Sequence, residues 1–519
     1  MEFKNFFSLA AFAMAPTFLF AQAGTLDGDF DGDGRVTTAL LSGDNKANCL
    51  AIQPNGYIVA AGSTISSGAG ASTNYAMVRY RPDGSLDNTF SLNGKADFGI
   101  APAADDDAEA IAILPDGKFL VAGNSATASG TRFSALLLNP NGTSFDGSFG
   151  TNGKLLLESV NFIFSSMVIQ PDGKIVAAGY SNNGQNFDFT VLRLLANGTL
   201  DNTFSGDGRA VIPIGPNTTD FGFAVALQPD GKILVAGSSY STARAMALVR
   251  LNPNGSLDNS FSFDGKLNTL IGSSSTANAV IVQSDGKIVV AGQIENTPGV
   301  FKDMALVRYN PDGTLDPNFQ GDGRRTIALQ GDDLGIDLLL QSDGKLILIG
   351  ASGGEKGMVA VRLMPDGSND VSFGLAGFAF ANFDEFATPT QAVITPNNRL
   401  VIAGYKRGGN SYFEFALAQF LLGLIVVAED LDNPGAKLIY PNPIKDQAVF
   451  EYELPQNGMV TLALFDLQGR MMYTFLTNEP RSSGKNTELL QFPTETPNGT
   501  YFLQIKTEAG SATVKIQKL

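Results

Sequence analysis

The sequence predicts an all-β protein: a seven-bladed β-propeller closed by strand exchange between its N- and C-terminal parts, followed by a small Ig-like β-sandwich. Three observations carry this. An Asp–x–x–Phe signature recurs as Asp27/Phe30, Asp87/Phe90, Asp146/Phe149, Asp201/Phe204, Asp258/Phe261, Asp316/Phe319 and Asp370/Phe373, at steps of 54 to 60 residues. A PDGK-type turn recurs around Gly56, Gly117, Gly173, Gly231, Gly286 and Gly344, with a seventh, degenerate PNNR placing Asn398 where the glycine would be. Between the turns, which draw on 58 glycines, the segments are rich in Val, Ile, Phe and Thr, residues that suit a pleated, half-buried surface. Self-similarity at such a period is the mark of a repeat architecture, and four strands per unit is the pattern of a propeller blade.

The chain opens with a stretch, Met1–Ala23, that reads as a secretory signal peptide. Lys4 is the basic start, Phe6–Phe20 the apolar body, and Ala21-Gln22-Ala23 a small-x-small cleavage site, with cutting after Ala23 or after Ala21. Leu26–Leu40 then reads as the back end of a unit whose front is missing, supplying only a fourth strand, Arg35–Leu40. The unit is seen most cleanly at Ala224–Gly272: AVALQ and KILVA joined by an Asp-Gly turn, then MALVRL, then KLNTL. The last unit supplies three strands, TQAVIT, RLVIAG and FEFALAQF. Three plus one completes a seventh blade, so removing residues 24–40 should open the ring. The propeller is thus expected over residues 24–420, a linker over 421–437 and the sandwich over 438–519. Phe415–Ala428 is an apolar run of 14 residues, short of the roughly 20 a spanning helix needs, so no transmembrane span is expected.

Two resemblances sharpen this. QPDGKILVAG, LVRLNPNGSLDNSF and their copies resemble the delta-60 repeats of secreted bacterial propellers over about residues 26–420. Leu137 and Gln419 depart from the pattern, standing where five other units have Arg. LIYPNP, VTLALFDLQGR and NGTYFLQIKTEAGSATVKIQKL resemble the type A C-terminal sorting domain of type IX secretion substrates. That resemblance puts the sorting motifs at Pro441, Asn442 and Pro443, at Asp466, Gly469 and Arg470, and at Gly499, Tyr501 and Lys515. It implies the type IX machinery as partner, passage through an outer membrane, removal of this domain, and attachment to surface lipopolysaccharide or release.

The chemistry is bounded mostly by exclusion. The chain has no His, which removes Ser–His–Asp and Cys–His catalysis and His-ligated zinc. Cys49 is the sole cysteine and reads as a buried apolar thiol, with no disulfide framework. A net charge of −16 argues against a nucleic-acid partner. Third-strand arginines recur at Arg79, Arg193, Arg250, Arg308 and Arg362; they form either an anion ring or structural pairs with Asp258-type carboxylates. DGDFDGDG offers Asp27, Asp29 and Asp31 at the spacing of the start of a calcium loop, but Thr38 stands where the bidentate Glu belongs, so it also reads as a turn. Several of the connections into the first strands carry acids outside the repeat pattern: Asp44, Asp105, Asp106, Asp107, Asp220, Asp332, Asp333, Asp384 and Glu385. They are the candidate ligand residues, free to bind Ca²⁺ as the one cofactor the sequence suggests, or to act as solvated turn acids. The expected function is an exported binding or adhesion module for a surface polysaccharide or protein ligand, without catalytic residues of its own. A carboxylate-based glycan-processing enzyme and a purely structural surface component are the alternatives.

Overall fold

A computed structural model describes residues 23–518, apart from 66–71, 354–356, 410–411, 424–437, 441–443, 467–470, 494–495, 508–509 and the single residues 92, 102, 159, 298, 455 and 498. The signal segment 1–22 and most of the expected linker lie outside the described residues. The chain divides into two compact units, one of which begins at Ala23 and ends at Glu429.

Within that unit the described strands form seven four-stranded antiparallel sheets. Sheet four shows the plan: Thr219–Leu227, Ile233–Tyr240, Arg244–Leu251 and Lys266–Thr269, hydrogen-bonded in sequence order. The first strands of the seven are Asn45–Ile52, Asp105–Ile113, Ile163–Ile169, Thr219–Leu227, Ser274–Val282, Asp333–Leu340 and Ala387–Ile394. In sheet seven the fourth strand is Arg35–Thr38 from the other end of the unit, with Arg35 opposite Ala418 and Thr38 opposite Phe415. The unit runs slightly past the expected boundary, because Arg362 binds the Leu422 carbonyl at 2.6 Å and Asn398 that of Gly423 at 2.5 Å.

Each first strand bears one β-bulge at the same place, leaving Asn48, Glu109, Ser165, Phe223, Asn278, Ile336 or Thr390 outside the ladder. The bulge explains the glycine of every VAG-like motif. In sheet four that residue is Gly237, and a Cβ on it would overlap the carbonyl oxygen of Phe221. The same overlap awaits a Cβ at Gly62, Gly123, Gly179, Gly292, Gly350 and Gly404, so a repeated sequence feature encodes a repeated backbone irregularity.

The cores lie between sheets. One joins Val176, Ala178 and Val191 of sheet three to Ile233, Val235 and Val249 of sheet four. Another joins Val401, Ala403 and Leu417 of sheet seven to Leu50, Ile58 and Val78 of sheet one. Each sheet buries both faces against neighbours, which no sheet alone can do.

The second unit has two antiparallel sheets. One holds Leu438–Tyr440, Gln447–Leu454 and Gly484–Gln491; the other holds Gly458–Phe465, Met471–Arg481, Gly499–Thr507 and Gly510–Lys518. A common core takes Phe450, Tyr452 and Leu490 from the first and Leu462, Leu464 and Leu503 from the second.

Candidate ligand-binding face

An antiparallel meander has two ends. One carries the turns between strands one and two and between strands three and four; the other carries the hairpin between strands two and three and the connection to the next sheet.

At the first end the recurrent arginines are structural. Nε of Arg79, Arg193, Arg250, Arg308 and Arg362 lies 2.7–2.8 Å from Oδ2 of Asp87, Asp201, Asp258, Asp316 and Asp370. Each guanidinium also lies over the signature phenylalanine, 4.5 Å from the Phe261 ring centre for Arg250, and reaches the next unit: Arg250 donates to the Pro311 carbonyl at 2.5 Å. The Thr203 hydroxyl, working against burial, together with the Thr203 N–H and the Arg193 and Lys174 charges, brings Asp201 down to about 2. The two departures compensate. Where Leu137 replaces Arg, Lys118 of the PDGK turn takes Asp146 at 2.8 Å; where Gln419 does, Arg399 takes Asp27 at 2.7 Å. The equivalent lysines in units with an Arg stand 3.6–3.9 Å from their Asp.

Asp27 is therefore an ion-pair partner, while Asp29 and Asp31 are exposed turn residues. Asp31, at φ 48°, occupies the turn position held by Ser205 and Gln320 in other units. Among the described residues no three carboxylates or thiols gather as a group that could hold a metal ion. Cys49 is fully buried, and burial pushes its thiol well above the ordinary range.

At the second end six of the nine acids also follow the repeat, at two adjacent positions. One is buried in every sheet: Asn45, Asp106, Phe162, Asp220, Ser275, Asp333 and Ala387. Its polar members tie down the preceding connection. Asp106 accepts from the Ile100 N–H at 2.7 Å and the Ser125 hydroxyl at 2.5 Å, Asp220 from Ile214 N–H at 2.8 Å, and Asp333 from Leu329 N–H at 2.5 Å. The residue before it staples two sheets together: Asp44 accepts from Phe413 N–H, Asp105 from Thr73 N–H and Asp332 from Lys302 N–H, at 2.9–3.0 Å. Asp107 binds the Asn48 amide at 2.7 Å. Beside it the half-buried Glu109, at the bulge, is pushed up to about 8 by burial and by the Asp107 charge. Asp384 and Glu385 stand exposed in the turn before the seventh first strand.

Acids are absent from both positions at sheets three, five and seven; at sheet five Ser274-Ser275 stands there, and a polar cavity of about 280 Å³ opens between sheets four and five, lined by Arg244, Lys302, Glu295, Gln293, Ser274 and Thr276 among others. Ser275 keeps the tying role, its hydroxyl accepting from Ile271 N–H of the connection at 3.4 Å and from Met246 N–H at 3.2 Å. Neither Arg244 nor Lys302 has a carboxylate within ion-pairing distance among the described residues; Arg244 lies 5.9 Å from the Phe221 ring centre. The register sets Ser274 opposite Glu295, Glu295 opposite Lys302, and Thr276 opposite Gln293. Asn278 holds the Gln293 amide oxygen at 3.2 Å, which turns its NH₂ group toward other acceptors. The exposed rings of Tyr240, opposite Arg244 in its hairpin, and of Phe301, next to Lys302, flank these cations. No motif marks these residues. Ser275 stands where three other sheets have Asp, but Phe162 and Ala387 lack the acid too, so nothing in the sequence singles out this place.

Of the sorting-motif residues, Asp466 and Tyr501 are buried, and the Tyr501 hydroxyl donates to the Pro497 carbonyl at 2.7 Å. Gly499 opens a strand and Lys515 lies within the last one. Pro441, Asn442, Pro443, Gly469, Arg470 and Ala21 lie outside the described residues. Ala23 is buried in the core between sheets six and seven, and its carbonyl accepts from Gly374 N–H at 2.7 Å.

Comparison with known proteins gives the repeats a family. Residues 53–90, 114–149, 170–204, 228–261, 283–319 and 341–373 match the family described as domain of unknown function (DUF5122) beta-propeller, and residues 438–518 match the secretion system C-terminal sorting domain. Six repeats match because each match runs from the PDGK-type turn to the signature Phe, and the seventh such stretch is divided between the two ends of its unit. The sorting domain indicates export to the cell surface or beyond it, and implies the type IX machinery as partner. No curated protein matches the chain. Among solved structures it is similar to the polysaccharide lyase Uly1 (12% identity, TM-score 0.44, 72% of this chain and 90% of that one). It is also similar to a protein of unknown function from Dyadobacter fermentans (12%, 0.39, 74% and 97%) and to Sqt1 from Chaetomium thermophilum (13%, 0.39, 78% and 100%). Among the described residues no helix is long and apolar enough to cross a membrane.

Proposed function

For a chain that carries DUF5122 β-propeller repeats and a secretion-system sorting domain, we propose an exported binding module: a closed ring of seven blades that presents a ligand face at its strand two–three hairpins. Ring closure is supported by contacts of every first strand with the first strands of the sheets before and after it, Ala387–Ile394 with Asn45–Ile52 included, and by the Arg35–Thr38 pairing. The C-terminal unit is the Ig-like sandwich that the export machinery reads. Cleavage after Ala21 leaves Ala23 in the core; cleavage after Ala23 would remove a buried contact, and N-terminal sequencing of the exported protein distinguishes the two.

The observation that carries the binding reading is the contrast within the ring. Nearly all the recurrent charge is consumed by structure, whereas the cavity between sheets four and five holds two cations that have no carboxylate within ion-pairing distance among the described residues. Concave sites with a few converging polar groups are where ligands bind. One observation favours the enzymatic alternative: Glu109, held protonated near neutrality beside Asp107, is the kind of acid that glycoside hydrolysis uses. Incubating the mature protein with immobilised polysaccharides and surface proteins, then analysing both the retained protein and the released sugars, tests these readings. Retention without product is the expected result. Released oligosaccharide would favour the enzyme, and neither retention nor product would leave a structural surface component.

A further inference from the structure

Resting on the binding-module reading, we infer that the cavity between sheets four and five takes a uronic acid residue of an acidic polysaccharide. The inference starts from charge. At four of the seven interfaces these two positions bring in an Asp, which would repel an anion or consume a cation; here they bring in Ser274 and Ser275. Arg244 and Lys302 consequently face a cavity with only Glu295 to oppose them, a local balance of one positive charge in a chain of net charge −16. One positive charge matches one carboxylate and falls short of a phosphate dianion or a sulfate cluster. The planar fork of Arg244 suits a carboxylate held by two parallel hydrogen bonds, which Lys302 can reinforce as a point charge.

The remaining groups suit a sugar ring. The Ser274 and Thr276 hydroxyls both donate and accept, the Gln293 NH₂ donates, and the Glu295 carboxylate accepts from sugar hydroxyls. Exposed Tyr240 and Phe301 offer flat apolar faces to neighbouring residues of the chain. A volume of about 280 Å³ holds one hexuronate with water and leaves the rest of the polymer outside. An acidic peptide could satisfy the cations, but it would leave the hydroxyls and the amide without the ring of hydroxyls that they complement.

Calorimetric titration of the full mature chain with tetrasaccharides of galacturonate, glucuronate and mannuronate, at low salt, tests this. Binding of at least one is expected, weakened at least roughly tenfold by Arg244→Ala and by Lys302→Ala, since a hydrogen bond to a charged group is worth about 1.5–3 kcal/mol. The melting temperature should not change in these variants, because neither side chain makes an ion pair among the described residues. The methyl ester of the bound tetrasaccharide should lose affinity by a similar factor. Binding to none of the three, equal binding of the ester or of a hexaglutamate peptide, or binding that survives Arg244→Ala would overturn the inference. If the mature protein still adheres to a polysaccharide but does so independently of Arg244, the binding-module reading survives and this assignment of its site does not.

Discussion

The two ends of each sheet use charge in opposite ways. At the end with the PDGK and Asp–x–x–Phe turns, a cation always meets the same Asp, and when Leu137 or Gln419 removes the arginine, Lys118 or Arg399 supplies the charge instead. At the hairpin end the buried position is Asn, Asp, Phe, Asp, Ser, Asp and Ala in turn, so its chemistry changes from sheet to sheet. Repetition with compensation marks a contact without which the unit does not assemble; repetition of place without repetition of chemistry leaves room for function.

The strongest way to break that comparison is to remove residues 24–40. Sheet seven would lose Arg35–Thr38 and the partner of Arg399, and cooperative thermal unfolding should be lost or the transition lowered more than by any single substitution. Next is Arg250→Ala, which leaves the buried Asp258 with only Lys232, 3.7 Å away, and should cost up to about 3–5 kcal/mol in denaturant unfolding. Gly237→Ala follows at about 1–3 kcal/mol, because the added methyl meets the Phe221 carbonyl. Lys118→Ala should lower the melting temperature more than Lys174→Ala does, since Asp201 keeps Arg193 whereas Asp146 keeps no other cation among the described residues; equal effects would refute the compensation.

A further effect is one of pH. Glu109 is raised from 4.5 to about 8 in the folded protein, which therefore holds a proton that the unfolded chain releases. Its contribution is complete below about 4.5 and is lost as pH rises toward 8, and Glu109→Gln should flatten that slope. Asp201 has the opposite sign: lowered from 3.8 to about 2, it stabilises above 3.8 and loses that contribution as pH falls toward 2. Stability measured across both windows in Glu109→Gln and Asp201→Asn separates the two.

Much of this was legible in the sequence. The turn glycines and the Asp–x–x–Phe signature register the units, and the expected Arg–Asp pair is present at 2.7 Å for Arg250. The bulge was hidden because its mark, the VAG glycine, sits on the partner strand and not on the bulged one. The acids were read as loop residues because Asp106, Asp220 and Asp333 alternate with Asn, Phe, Ser and Ala, and only backbone register shows them to be one position. The cavity was invisible because Arg244 and Lys302 belong to different sheets, 58 residues apart, and meet only through packing.

The most direct test of the central claim, that one end builds the ring and the other end binds, is a paired measurement on Arg250→Ala and Arg244→Ala: melting temperature, and retention on the polysaccharide that captures the native protein. The account predicts a lowered melting temperature for Arg250→Ala, and an unchanged melting temperature with lost retention for Arg244→Ala. A destabilised Arg244→Ala, or one that retains ligand as well as the native chain does, would contradict it.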